Sequence, residues 1–439
     1  MTAHPAAAAW AGQPPAPGDL RLITSDLPLS LAEHIDRYGP PQSADRDPAA
    51  LITEVERSGL TGRGGGAFPA GRKMRAVADA STRSGRIRAR TSSVVVANGS
   101  ESEPVSSKDE VLLSHAPHLV LDGIALTAAA VGADGAYLCL GAHAPTAARA
   151  VAVALAERER AGLNAVPVTV TSTDGYLAGQ ETALISALNG GAALPTFVPP
   201  RPAERGANRR PTLVQNVETL AHIALIARFG AEWFRQVGTV RAPGSALVTV
   251  TGSVARPGVR EIPLGTPLRE VLRRSGLMAG AQAVLTGGYF GTWLPLPAAE
   301  QVAVSEDGMR AAGAALGPGV LAVLPESACG LAETARVLGF LADNSARQCG
   351  PCRNGMPALA NAMGRIAFGP PSRDAVGWVE QLTGLVTGRG ACHLPDGGAA
   401  LARTALKVFG ADLRTHVASG PCHRAGRAPA LPLQDGPGR

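Results

Sequence analysis

Aromatic residues are scarce in this 439-residue chain: Trp, Tyr and Phe together make up 4% of it. No run of Lys and Arg is interleaved with what aromatics there are, which argues against a nucleic-acid partner. No apolar stretch reaches the length of a membrane span. Charged residues are sparse at 17%, yet 45% of the chain is hydrophobic, a globular rather than a disordered composition. Neither a Walker loop nor a G-x-G-x-x-G fingerprint after a strand is present, so the two commonest nucleotide-phosphate signatures are excluded.

Glycine (53) and proline (35) are plentiful, and the net charge is +6, from 41 basic and 35 acidic residues spread along the chain. A modest basic excess suits phosphate-bearing cofactors or an acidic partner. Residues 1–18, rich in Ala and Pro, lack the basic start and apolar core of a secretory signal. A cytoplasmic, reducing setting is therefore expected for the six cysteines, where close Cys pairs point to metal or redox chemistry more than to disulfides.

The length allows two or three domains. Pro48 to Ser58 (PAALITEVERS) has apolar residues at helical spacing and leads to a glycine-rich loop at 59–71. Short β-branched runs at 93–98, 135–140 and 166–171 alternate with apolar helices at 117–131 and 144–161, the pattern of a parallel α/β sheet. Residues 196–211 read as an extended surface segment. From 246 to 324, short strands and Gly-Pro turns indicate a separate small α+β domain, and from 331 to 417 the chain is helical. The expected division is an extension at 1–30, an α/β domain at 31–240, a small domain at 241–325, a helical Cys-containing domain at 326–418 and a tail at 419–439.

Four segments carry chemistry. The first is Gly62-Arg63-Gly64-Gly65-Gly66-Ala67-Phe68-Pro69, followed by Lys73. Glycines let backbone N–H groups approach a phosphate, and Arg63 and Lys73 add charge to such a nest; alone, the segment is equally a flexible surface loop. The second is Asn98-Gly99-Ser100-Glu101-Ser102-Glu103-Pro104, with Lys108-Asp109 beyond it, at the end of a strand where α/β sheets place ligands. The third, from Gly175-Tyr176 through Gly179-Gln180-Glu181-Thr182, and the fourth, Gln215-Asn216-Val217-Glu218-Thr219, both lead into helices. Each by itself is an ordinary helix start with acidic charge favoured by the dipole.

Together, in this order, the four segments resemble the FMN- and NADH-binding flavoprotein subunit of respiratory complex I and of related NAD-linked formate dehydrogenases and hydrogenases. That family's segments read GRGGAGFPTGLK, NADEGEPG, GEETAL and NNVET. The likeness runs from about residue 31 to 417, and the small middle domain resembles the family's soluble-ligand-binding β-grasp module. The resemblance implies a Rossmann-like flavin-binding domain, a β-grasp domain and a C-terminal helical iron–sulfur-type domain. It implies FMN held by Gly62, Arg63, Gly64, Lys73, Asn98, Glu101, Tyr176, Gly179, Gln180 and Asn216. It places Phe68 and Glu103 beside the nicotinamide of NAD(H), with Glu103 and Glu181 as catalytic candidates. It also implies electron transfer to an iron–sulfur centre or to a thioredoxin-like [2Fe–2S] or ferredoxin-like partner.

The departures from the family cluster on the dinucleotide side. Ser100 stands for Asp, Val105 for Gly, Gln180 for Glu and Ala76 for an aromatic residue. In 194–202 the family reads PRLKPPFP, so Val198 replaces Lys and Arg201 replaces Phe. Phe197 and Arg201 are the candidates to compensate, since Arg both stacks and pairs with phosphate. Cys349, Cys352 and Cys392 match three of four cluster ligands, while Ala346 stands at the first. A [4Fe–4S] cluster normally takes four thiolates. A [3Fe–4S] cluster, a [4Fe–4S] cluster with an external ligand or a non-Cys one such as His393, a vestigial site with no cluster, a redox pair or a zinc site all remain compatible with this set. Cys139, Cys329 and Cys422 are expected to be buried or incidental thiols.

Overall fold

Strand β1 (Ser93–Gly99) buries Val94, Val95, Val96 and Ala97 in succession. A run with no polar alternation belongs to a strand covered on both faces, the usual state of a parallel sheet. The computed structural model, which describes residues 14–41, 47–83 and 92–433, places β1 inside such a sheet. With β2 (Ala133–Gly141), β3 (Val168–Thr173) and β4 (Thr212–Asn216), the order is β3–β2–β1–β4, every pair parallel. Val95, Ala97 and Leu213 face the main core with the helices Pro48–Ser58, Pro117–Val131 and Val217–Arg235. Val94, Val96 and Val214 face a smaller cluster with Leu184 and Ile185 of the helix Glu181–Leu188.

Local chemistry sets these elements. Pro48 sits in the first turn of its helix, the Asp47 side chain accepts from the Ala49 N–H, and Gly59 ends the helix in the left-handed region at φ +72°. The helices Pro117–Val131 and Val217–Arg235 cross closely because Gly123 has no side chain; a Cβ there would lie 2.1 Å from the Leu220 carbonyl oxygen.

A second sheet follows, with β5 (Ser245–Gly252), β6 (Gly258–Pro263), β7 (Ala281–Thr286), β8 (Thr292–Pro295) and β9 (Val320–Pro325) in the order β6–β5–β9–β7–β8. Only β5 and β9 pair in parallel. The helix Leu268–Arg274 packs its buried Leu268, Val271 and Leu272 into this domain's own core. The last region is helical: Gly330–Asp343, Met356–Phe368, Asp374–Val386, Leu394–Val408 and Gly410–Ser419.

Both ends differ from the loose segments expected. Residues 14–30 strap the first two domains together. The Arg21 guanidinium stacks 4.0 Å over the Trp233 ring, and the backbone N–H groups of Arg21 and Leu22 donate to Glu261 on β6. In the expected tail, Leu431 is buried, Glu333 accepts from the Ala430 and Leu431 N–H groups, and the Tyr289 hydroxyl donates to the Pro432 carbonyl. Apolar side chains and backbone partners, invisible in a Pro/Gly-rich string, hold both segments. Residues 1–13 and 434–439 lie outside the described residues.

Among the described residues no single helix is long and apolar enough to cross a membrane. The bent pair Lys108–His115 and Pro117–Val131 has the composition, but turns by 94° and is largely buried in the core.

Candidate functional site

The strand order fixes where a ligand crevice forms. The chain winds outward from β1 through β2 to β3, then returns to β1's other side as β4, so the strand order reverses between β1 and β4. Ligands of open α/β sheets bind at such a switch point. Asn98 and Asn216, the register partners at these ends, meet there. The Asn216 amide donates to the Asn98 carbonyl at 3.2 Å and to Asp109 at 2.6 Å, and its oxygen accepts from the Glu218 N–H to cap the helix Val217–Arg235. The Asn98 amide donates to the Gly179 carbonyl at 2.8 Å. Gly179 presses on the acidic turn: a Cβ would stand 2.7 Å from the Ser100 oxygen. Gln180 caps the helix Glu181–Leu188, its oxygen accepting from the Thr182 and Ala183 N–H groups.

The glycine loop closes against the same point. The Gly62 N–H donates to the Phe68 carbonyl and the Ala70 N–H to Leu60, so the loop is a pinned turn and not a slack one. Gly64 lies where a Cβ would be 3.2 Å from that of Asn216, while a Cβ on Gly66 would meet nothing within 4 Å. Gly65 takes φ +101°, a conformation that favours glycine. Lys73 pairs with Glu181 at 2.7 Å, both partly exposed, and Phe68 is half exposed at the rim. Arg63 is buried. Its terminal nitrogens donate to Thr61, to the Pro243 carbonyl at 3.4 Å and to the Ser245 carbonyl at 3.2 Å, and its Nε lies 3.9 Å from Glu218. These partners make Arg63 a tie between the loop and the second sheet's domain.

Beneath the crevice lies a buried ionic network. Lys108 Nζ is 2.6 Å from Asp109 and 3.0 Å from Glu218. Burial pulls the Lys108 ammonium down, but Asp109, Glu218 and Glu101 more than reverse this, and its pKa is raised. Burial pushes Glu218 up, yet Lys108, His222 and Arg63 hold it down at about 2. Glu101 accepts from the Asp109 and Glu110 N–H groups, capping the helix Lys108–His115. Burial, then the Asp109 carboxylate, push Glu101 up to about 7.

Glu103 is buried further along. One oxygen accepts from the Tyr176 hydroxyl at 3.1 Å and the Tyr289 N–H at 3.0 Å, and the other has no partner among the described residues. Burial pushes Glu103 up to about 7. Tyr176 itself is buried edge-on against Phe290 and Phe340. The segment departing from the family is open by contrast: Phe197 is 76% and Val198 47% exposed, and Ala76 and Arg201 are exposed too.

In the helical region, Cys352 lies on the turn Pro351–Gly355 in hydrogen-bond contact with both Cys392 and Cys349. The contact with Cys352 holds the Cys392 thiol down at about 6 and pushes that of Cys352 up. Ala346 packs against the same core. Ser345 Oγ donates to the Ala342 carbonyl, and His393 is exposed beside Asp396.

Comparison with known proteins fits this geometry. Residues 55–225 match the model described as the Nuo51 FMN-binding domain, 247–285 an SLBB domain, and 327–416 the NADH-ubiquinone oxidoreductase-F iron-sulfur binding region. The chain is 32% identical over 389 residues to the second NADH-quinone oxidoreductase F subunit of Rhizobium meliloti, covering 85% of this chain and 90% of that protein. It belongs to the family of NADH-quinone oxidoreductase F subunits. The F subunit of Streptomyces coelicolor is likewise 32% identical, over 85% of this chain and 84% of its own. An NAD+-reducing [NiFe]-hydrogenase structure superposes with a TM-score of 0.76 at 30% identity, over 84% of this chain; the chain spans 63% of that hydrogenase chain.

As a member of the F-subunit family the chain has the expected FMN-binding and iron–sulfur regions in the expected order. The structure brings Gly62, Gly64, Asn98, Glu101, Gly179, Gln180 and Asn216 to one crevice, with Lys73 and Glu181 beside it. Lys108, Asp109 and Glu218 stand inside or beside the quoted segments, but nothing in their local sequence shows that they form one buried ionic network. Sequence reasoning set Cys329 and Cys422 aside as incidental, whereas the fold brings both to His416.

Proposed function

We propose that this chain is an FMN-dependent oxidoreductase that takes reducing equivalents from a reduced nicotinamide cofactor and delivers them to an iron–sulfur centre or to a thioredoxin-like [2Fe–2S] or ferredoxin-like partner protein in the cytoplasm. The observation that carries this reading is the convergence of Asn98, Asn216 and Gly179 with the pinned glycine loop at the β1/β4 switch point. The cradle suits a flavin nucleotide: on one side the loop presses on Asn216, and on the other Gly66 faces open space. FMN supplies the exchange between a two-electron donor and one-electron acceptors.

The residues' own roles follow from their contacts. Asn98 and Asn216 hold the crevice floor, Gly62 and Gly64 leave room for close backbone approach, and Lys73 brings positive charge to its mouth. Tyr176 orients Glu103, whose partnerless oxygen holds a proton near neutrality or accepts one from a bound ligand's donor. Cys349, Cys352 and Cys392 would hold an iron–sulfur cluster at three corners, and Ala346 offers no donor at the fourth. That donor set suits a [3Fe–4S] cluster, or a [4Fe–4S] cluster with an external ligand.

The exposed segment around Val198, which lacks the family's Lys, favours a second reading, in which the flavin serves an electron-transfer or assembly component that does not use NADH. Anaerobic reconstitution with FMN, iron and sulfide, followed by NADH titration, decides between them. Bleaching of the flavin by NADH is expected. A protein that retains FMN but is not reduced supports the second reading, and one that retains no FMN overturns both. EPR should show a labile or three-iron signal, converted to a stable four-iron one by Ala346→Cys.

A further inference from the structure

Three residues that no cofactor claims meet at the far end of the helical region. The Sγ atoms of Cys329 and Cys422 and a ring nitrogen of His416 lie within 4.8 Å of one another. They come from three places: the residue before the helix Gly330–Asp343, the helix Gly410–Ser419, and the C-terminal segment beyond it. We propose that they form a zinc site, separate from the set Cys349, Cys352 and Cys392.

The imidazole is oriented for a metal. His416 is buried, and its Nδ1 faces the Ile366 carbonyl at 3.0 Å, so Nδ1 carries the proton and Nε2 the lone pair. A backbone carbonyl that fixes the far nitrogen is the usual support of a metal-bound histidine. Nε2 stands 3.7 Å from Cys329 Sγ. Ordinary Zn–S and Zn–N lengths at a tetrahedral angle put these atoms about 3.6 Å apart. The Cys422 N–H also points at Nε2, from 3.1 Å. Binding exchanges that one neutral hydrogen bond for a coordinate bond, a trade in the ion's favour.

A bound ion would itself hold both sulfurs as thiolates, because zinc coordination releases the thiol protons. Two thiolates and one imidazole are a donor set for zinc. Among the described residues no fourth His, Cys, Asp or Glu joins the group. Cys422 is only partly buried, so solvent can reach the fourth position of the proposed tetrahedron. The ion would fasten the C-terminal segment to the start of the helix Gly330–Asp343. His416 meets the end of the helix Met356–Phe368, and Cys352 lies just before its start. At 1.5 Å per residue the two sites are roughly 20 Å apart.

The test is elemental analysis of the full-length protein, purified without a histidine tag. One zinc per chain is expected, lost in Cys422→Ser and in Cys329→Ser but kept in Cys352→Ser, which should lower iron alone. Because the buried Cys329 change risks misfolding, cobalt loading of the wild-type chain gives an independent reading. Intense tetrahedral cobalt bands with sulfur-to-cobalt charge transfer are expected, weakened in Cys422→Ser. Wild-type protein without zinc and without those bands, zinc that follows Cys352 instead, or a Cys329–Cys422 disulfide in the purified chain would each overturn the proposal.

Discussion

The crevice floor and the open segment around residues 194–202 belong to the same domain and are built on opposite terms. On the floor nearly every polar group has a protein partner: Asn98 holds Gly179, Asn216 holds Asn98 and Asp109, and Lys108 sits between Asp109 and Glu218. In the open segment Phe197 and Val198 face solvent, and the family's cationic and aromatic positions are filled by Val198 and Arg201. A preorganised floor keeps its geometry without a ligand, whereas an exposed strip contributes only what its side chains can grip. The difference teaches that the FMN side and the dinucleotide side of one site can diverge independently.

The strongest way to break the floor is Lys108→Met. It strands Asp109 and Glu218 as buried carboxylates without their counter-charge, which should destabilise the fold by about 3–5 kcal/mol. Urea denaturation measures the loss, and the variant should purify without flavin. An unchanged midpoint would show that the network is not what holds the floor.

Next in size is a pH effect at Glu103, which lies where floor and dinucleotide side meet. Burial raises its folded pKa from an ordinary 4.5 to about 7. The folded chain then binds a proton that the unfolded chain has released. Stability is full below about 4.5 and falls as pH climbs toward 7, by about 3 kcal/mol in all. Glu103→Gln removes this slope. Thermal midpoints of the two proteins should diverge between pH 4.5 and 7 in favour of the variant, then run parallel. Glu101, also raised to about 7, is common to both and cancels in the difference.

Asn216→Ala is milder. It removes a helix cap and the bond to the Asn98 carbonyl, worth about 1–2 kcal/mol of stability, and FMN affinity, measured by fluorescence recovery, should fall about tenfold. The smallest change sharpens the comparison from the other side. Val198→Lys should tighten NADH binding by up to about tenfold, the scale of one charge-assisted hydrogen bond, while FMN retention stays as it was. A parallel change in FMN affinity would mean the two sides are coupled after all.

Much of this organisation was legible from local signals. The helix Pro48–Ser58 has its boundaries written in Asp47-Pro48 and Gly59, and after Ser93 the β1 run has no polar residue until Asn98. Strand β4 was not legible: in TLVQN the cap signal of Asn216-Val217-Glu218 dominates, and only pairing with β1 makes the five residues a strand. The tie that Arg63 makes was not legible either, because its partners, the carbonyls of Pro243 and Ser245, lie about 180 residues away. The meeting of Cys329 with His416 has no short spacing to betray it. Contacts set by tertiary packing are what a string of residues conceals.

The bare backbone at Gly123 extends the vulnerability of the site to the neighbouring helix Pro117–Val131. Leu220, which presses on Gly123, lies one helical turn from Asn216. Even an alanine at 123 would push against a rigid rod whose tip is the crevice floor. A random screen for colourless protein would therefore return this glycine together with the residues around the flavin, and such a hit would report a lever and not a ligand.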